Sequence, residues 1–272
     1  MTTTVGVFAS GVGGLTVVAA LHALLPALPI RYLADTAYFP YGERSAAEVE
    51  ARALVLAARL VDEGCALLVV ACNTATSAAI ETLRERFAVP VVGMEPPLKP
   101  ALAQSGRGRV AVLVTPSTAR GERLERLRRA YAGTAEVVTV ALPGLADLVE
   151  EGAVSGPAID ALLRRELAAL PAGVDAVALG CTHYGFVRGA IERVLGPGVR
   201  VVDAAEAVAR RVQQQLAEHG LALPEGAAVA VECAATGDAE AFASTVGRLQ
   251  AAGAVLPPLY VLRPEAAGEG RA

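Results

Sequence analysis

Two cysteines in this chain stand in matching surroundings, and together they could move a hydrogen at a carbon atom. Cys72 closes the apolar run Leu67-Leu68-Val69-Val70-Ala71 and is followed by Asn73 and Thr74. Cys181 closes Ala176-Val177-Ala178-Leu179-Gly180 and is followed by Thr182 and His183. A helix-like segment containing Ala-Ile-Glu follows each, at Ala79-Ile80-Glu81 and at Ala190-Ile191-Glu192, and each leads into a further apolar run at 89–93 and 199–203. A strand–Cys–helix–strand unit used twice can bring two thiols to one site. A thiol titrates near ~8.5, so one cysteine can be thiolate while the other stays protonated. The thiolate would take a proton from one face of a carbon and the thiol would give one to the other face. That inverts a stereocentre and needs no cofactor. A transient disulfide, or a single Cys nucleophile beside a His, are the other chemistries open to such residues.

The neighbours suit a small amino-acid substrate. Asn73, Thr74 and Thr182 can hold a carboxylate and an amine, and His183 can serve Cys181 as a proton partner. Both thiols are predicted ahead of a helix N-terminus, which is expected to lower them. Cys65 and Cys233 lack polar neighbours of this kind and read as core thiols. There is no CxxC pair, and no metal is expected.

The elements that must position these residues alternate along the chain. A strand over 4–8 runs into Ala9-Ser10-Gly11-Val12-Gly13-Gly14 and then an apolar helix. A strand, a glycine turn and a helix start make an anion cradle. Thr16 stands where a dinucleotide fingerprint wants glycine, and no Gly-Lys-Ser/Thr follows, so a carboxylate is the better guest. A second strand over 30–34 precedes the loop Asp35 to Gly42, and Ser45 with Glu48 forms a capping-box pattern. Residues 94–100 are expected to break regular structure and mark a crossover. A strand over 109–114, a polar turn at 115–118 and a charged helix over 122–131 follow. Next come a strand over 137–141, helices over 145–151 and 157–170, and the second Cys unit. Asp203 and Glu206 open a helix with a capping-box-like pattern. A strand over 227–233, a helix capped by Thr236-Gly237-Asp238, a strand over 259–262 and a loose tail from Pro264 complete the reading. This alternation predicts an α/β chain of two similar α/β domains with mainly parallel sheets. Their expected extents are 1–95 plus 206–272, carrying Cys72, and 96–205, carrying Cys181. The ligand is expected in the cleft between them, at the carboxyl ends of the strands.

Composition narrows the classes further. Apolar residues make up 54% of the 272 residues and charged ones 19%, which excludes a disordered chain. The net charge of −4 and the absence of Trp argue against a nucleic-acid partner. No run approaches the ~20 apolar residues that span a bilayer. The uncharged first thirty residues lack a basic start and are interrupted by Gly11, Gly13 and Gly14, so no signal peptide is expected and the compartment should be the cytoplasm.

Taken in order, the motifs resemble the cofactor-independent glutamate racemases of the aspartate/glutamate racemase superfamily. The resemblance covers nearly the whole chain. It rests on the run Ser10-Gly11-Val12-Gly13-Gly14-Leu15-Thr16-Val17, on Asp35 with Pro40-Tyr41-Gly42, and on Ala71-Cys72-Asn73-Thr74-Ala75. It continues through Leu148-Val149-Glu150, Gly180-Cys181-Thr182-His183-Tyr184 and Thr236-Gly237-Asp238. The resemblance implies catalytic roles for Cys72, Cys181, His183 and Glu150, with Cys72 deprotonating the D-enantiomer and Cys181 the L-enantiomer. It implies that Ser10, Tyr41, Gly42, Asn73, Thr74, Thr182 and His183 bind the substrate glutamate, as does position 9, here Ala9. It further implies a cytoplasmic homodimer that supplies D-glutamate for peptidoglycan, with no cofactor. The chain departs from the pattern at Ala9, where the family carries an Asp that assists the first cysteine, and at Gly185, where many relatives have Pro. Two other readings stay open: a racemase of another acidic amino acid such as aspartate, and a catalytically weakened homologue that binds a ligand or regulates a partner.

Overall fold

The computed structural model describes residues 3–223 and 225–262. The tail predicted from Pro264 lies outside the described residues. The strands are β1 (Val5–Ala9), β2 (Ile30–Ala34), β3 (Leu67–Val70), β4 (Val91–Gly93), β5 (Arg109–Val114), β6 (Glu136–Ala141), β7 (Ala176–Leu179), β8 (Arg200–Val202), β9 (Val231–Ala235) and β10 (Leu259–Val261). Among the described residues they form two sheets, in the orders β10-β9-β2-β1-β3-β4 and β6-β5-β7-β8. Every pairing is parallel. The chain is thus α/β with two parallel sheets, as the alternation of its elements predicts.

The central strands β1, β3 and β7 are buried along their whole length. Helices cover both faces of a parallel sheet, so its strands need no polar side, and this is why the runs ahead of the cysteines are continuously apolar. Each cysteine leaves a strand next to the middle of its sheet. β3 pairs with β1 so that Val70 lies opposite Phe8, and β7 pairs with β5 so that Leu179 lies opposite Leu113. Parallel register puts the carboxyl ends side by side, which brings Ser10 and Cys72 together.

Several local expectations hold. Ser45 accepts from the Glu48 backbone and Glu48 answers to the Ser45 backbone, a complete capping box on the helix Ala46–Asp62. Asp238 caps Ala239–Ala251 by accepting from Glu240 and Ala241. Other segments differ. Residues 94–97 are irregular, but a helix starts at Leu98 and runs to Gln104. Pro100 falls in its first turn, where a missing N–H costs nothing. The polar turn at 115–118 is the start of a short helix, Pro116–Arg120, whose cap is Thr115. Asp203 accepts from the Ala205 amide at 2.6 Å, but no capping box forms, because the helix Ala205–Glu218 starts with Ala204 as its cap. The strand expected over 227–233 pairs only from Val231, and residues 227–230 are exposed.

The two Cys units also differ from each other. Cys72 is itself the cap of one unbroken helix, Asn73–Arg86. After Cys181 the helix is split into His183–Phe186 and Arg188–Leu195.

Candidate active site

The carboxyl ends of the two sheets share one cleft, which encloses about 600 Å³ of space including its open mouth. Ser10, Tyr41, Gly42, Cys72, Asn73 and Thr74 line it from residues near the first sheet. Cys181, Thr182 and His183 line it from the end of β7. All of these were singled out in the sequence. Two other candidates do not reach the wall. Ala9 is fully buried, with its methyl group facing Gly14, so it offers a substrate nothing. Glu150 lies behind His183.

The Cys72 side holds its thiol with neutral groups. The sulfur accepts from the Ala75 amide at 3.5 Å, and the nearby Thr74 amide and Ser10 hydroxyl also favour its charged form. The residue is 7% exposed. Burial dominates over these donors and pushes the thiol up to about 11. The expected lowering by the helix N-terminus is therefore overturned at Cys72: desolvation outweighs the dipole. A charge on Cys181 would push it the same way.

The Cys181 side is built from charged partners. Its sulfur lies 3.6 Å from His183 Nδ1, and His183 Nε2 lies 2.7 Å from Glu150 Oε1. Burial works to push the imidazole down, but the Cys181 sulfur and the Glu150 carboxylate outweigh it and raise the ring to about 10. His183 therefore carries a proton at neutral pH, with an acceptor on each nitrogen.

The glycine turn does hold a carboxylate, but that carboxylate is the protein's own. The Val12 amide donates to Glu150 Oε1 at 2.6 Å. A Cβ on Gly11 would stand 1.9 Å from the same oxygen, and one on Gly13 would stand 2.4 Å from His183 Nδ1. The expected substrate cradle is thus filled by the Glu150–His183 pair. Thr16, which spoils the dinucleotide fingerprint, donates to Gly13 O at 2.9 Å and reaches Thr182 O at 3.4 Å.

Polar groups around the cleft fall into two kinds. Some are committed to the protein. The Tyr41 hydroxyl donates to Asp35 at 2.5 Å, and Asp35, fully buried, also receives Arg52 and Thr236. The Thr74 hydroxyl meets those of Thr115 and Thr118 at 3.3 and 3.2 Å. Asn73 is different. It is 4% exposed, and both its amide nitrogen and its amide oxygen lack any hydrogen-bond partner. A buried amide left without a partner is uncommon in a folded protein, and this one lines the cleft.

Sequence reasoning missed some of the wall. Phe39 packs its ring 5.6 Å from the His183 ring, and Leu142, Pro143 and Asp147 line the cleft. Phe39 lies in the polar-aromatic loop that the sequence marks out. Leu142 and Pro143 carry no chemical signal, and only the fold reveals them. Among the described residues no group of His, Cys, Asp or Glu is arranged to hold a metal ion.

Comparison with known proteins agrees with this geometry. The family model described as Asp/Glu/Hydantoin racemase matches residues 14–212. A glutamate racemase from Herpetosiphon aurantiacus is 45% identical over 240 residues, covering 88% of this chain and 94% of that protein. The Escherichia coli glutamate racemase, solved with L-glutamate and the activator UDP-MurNAc-Ala, superposes with a TM-score of 0.81 at 33% identity, covering 96% of this chain and 98% of that one. The Thermus thermophilus glutamate racemase, solved with β-chloro-D-alanine, superposes with a TM-score of 0.79 at 38% identity, covering 96% of each chain. With two strand–Cys–helix units meeting at one cleft, and a match over most of its length, the chain belongs to the Asp/Glu/hydantoin racemase family.

Proposed function

We propose that the chain is a glutamate racemase that interconverts L- and D-glutamate with Cys72 and Cys181 as its two acid–base groups. The observation that carries the reading is that one cleft is lined by both thiols, each from the end of a different sheet, with the unpartnered Asn73 amide between strand and helix. From L-glutamate, the Cys181 thiolate takes the α-hydrogen: the C–H bond breaks, an S–H bond forms, and the electron pair delocalises into the carboxylate. The Cys72 thiol then gives its proton to the opposite face and becomes the thiolate. From D-glutamate the roles reverse. His183, protonated at neutral pH, donates toward the Cys181 sulfur and steadies negative charge there. Glu150 orients and charges His183. Ser10, Gly42, Asn73 and Thr182 hold the carboxylates and amine, while Thr74 and Tyr41 shape the wall with their hydroxyls kept by Thr115 and Thr118 and by Asp35.

The Cys72 side has no comparable partner. Ala9 supplies no titratable group, and burial keeps Cys72 protonated. A protonated Cys72 is the donor that reaction from L-glutamate needs. The reading extends to a division into 1–95 plus 206–272 and 96–205, to a cytoplasmic homodimer, and to a supply of D-glutamate for peptidoglycan. Among the described residues no helix is long and apolar enough to cross a membrane, which is consistent with it.

Circular dichroism of pure L- and pure D-glutamate incubated with the protein tests the activity. Both signals should decay to zero. Persistence of both, in a folded sample, overturns the reading; decay with aspartate but not glutamate would assign the other acidic substrate.

A further inference from the structure

The groups that hold Glu150 come from elements packed with the Cys72 half. At the end of the helix Leu145–Glu150 the carbonyls of Asp147, Leu148 and Val149 are taken by the amides of Glu151, Ala153 and Gly152, and those of Glu150 and Glu151 are met by side chains. The helix Ala239–Ala251 supplies donors for that end. Thr245 Oγ1 donates to Glu150 O at 3.0 Å, and Arg248 Nε donates to Glu151 O at 2.9 Å. Arg248 also donates to Thr245 Oγ1 at 2.7 Å, which fixes the two side chains together. Gly152, with φ +89°, admits them: a Cβ there would stand 2.6 Å from Arg248 Cβ. On the other side, the Val12 amide holds the Glu150 carboxylate, and bare Gly11 and Gly13 leave room for it and for the His183 ring. Backbone and carboxylate of one residue are thus gripped from two elements.

We propose that Thr245 and Arg248, with the glycine turn, are positioning residues for proton transfer at Cys181: they set Glu150, and through it His183. The inference rests on the racemase reading for its kinetic consequence, but not for its structural one. A helix cap alone would add stability and leave the imidazole unchanged. A holder of the acid–base pair sets the charge on His183, because Glu150 and Cys181 are the groups whose charge acts on that ring.

The test compares the full chain with Thr245→Val, Arg248→Met and Thr245→Ser. Histidine-labelled protein is titrated by NMR, and each enantiomer of glutamate is incubated in deuterated water. In Thr245→Val and Arg248→Met the His183 titration should fall from about 10 toward the ordinary ~6.5. Deuterium entry into recovered L-glutamate should drop by up to about 10²-fold, the cost of a misplaced group, while entry into recovered D-glutamate changes little. Thr245→Ser, which keeps the hydroxyl, should restore both. A His183 titration unchanged in both variants overturns the inference, whether or not the protein is active. A parent protein that exchanges neither enantiomer sinks the racemase reading instead, and the titration alone then decides the holder.

Discussion

The two cysteine halves share a backbone plan and differ in chemistry. Cys72 caps an unbroken helix and is surrounded by amides and the Ser10 hydroxyl. Cys181 precedes a helix broken at Val187, and His183 in its first segment sets its ring against the sulfur with Glu150 behind it. One thiol is tuned by burial and the other is attended by a charged pair. A repeated fold unit therefore fixes where two thiols sit, but side chains from outside the repeat decide what each can do. The glycine turn after β1 makes the point: it belongs to the first half and serves the second.

The largest expected effect removes the shared step. Cys72→Ala and Cys181→Ala should each lower racemisation by about 10⁴-fold, the upper range for a lost acid–base group, as followed by circular dichroism. A single variant retaining a tenth of the parent rate would break the pairing of the halves. Ala9→Asp supplies a titratable group at the position where the resemblance implies one that assists the first cysteine, and should raise turnover by about 10³-fold. An unchanged or lower rate would show that the missing group at position 9 is not what limits that side. Gly13→Ala places a methyl group against the His183 ring and should cost up to about 10²-fold in deuterium entry into recovered L-glutamate, with entry into D-glutamate less affected. Equal losses for both would remove the distinction between the halves.

The smallest effect is on stability. His183 titrates near ~6.5 unfolded and about 10 folded. A raised folded value stabilises the fold fully below the unfolded one, and that contribution is lost as pH rises toward 10. Urea unfolding should therefore weaken between about pH 6.5 and pH 10, by on the order of 2 kcal/mol more in the parent than in His183→Asn. Cys65, Cys72 and Cys233, whose thiols burial raises, weaken the fold at alkaline pH in both proteins, so the difference reports the imidazole together with its Cys181 and Glu150 partners. Parallel pH curves would contradict the charged pair.

Much of this was readable from residue types. The apolar runs gave the strands because parallel strands are buried on both faces, and Cys72, Cys181 and His183 stand where their spacing places them. What could not be read depends on contacts between distant segments. The glycine turn announces room for an anion, but its guest, Glu150, arrives from 138 positions away. The position of Cys72 ahead of a helix suggests an acidic thiol, and only burial reverses that. Tyr41 looks like a ligand donor until Asp35, Arg52 and Thr236 are seen to occupy its end of the network. The helix at Leu98 was hidden because its prolines mark a break and a helix start alike.

Because the enantiomers have equal free energy in water, kcat/KM must be the same in both directions, and the asymmetry of the halves has to be sought in the substrate that returns. The most direct measurement is α-deuterium entry, by NMR, into recovered L- and recovered D-glutamate during racemisation in deuterated water. Label should enter the product in both directions, and recovered L-glutamate, served by Cys181 with its His183–Glu150 pair, should exchange faster than recovered D-glutamate. Absence of label from both enantiomers in a folded sample, or faster exchange of recovered D-glutamate, would contradict the account.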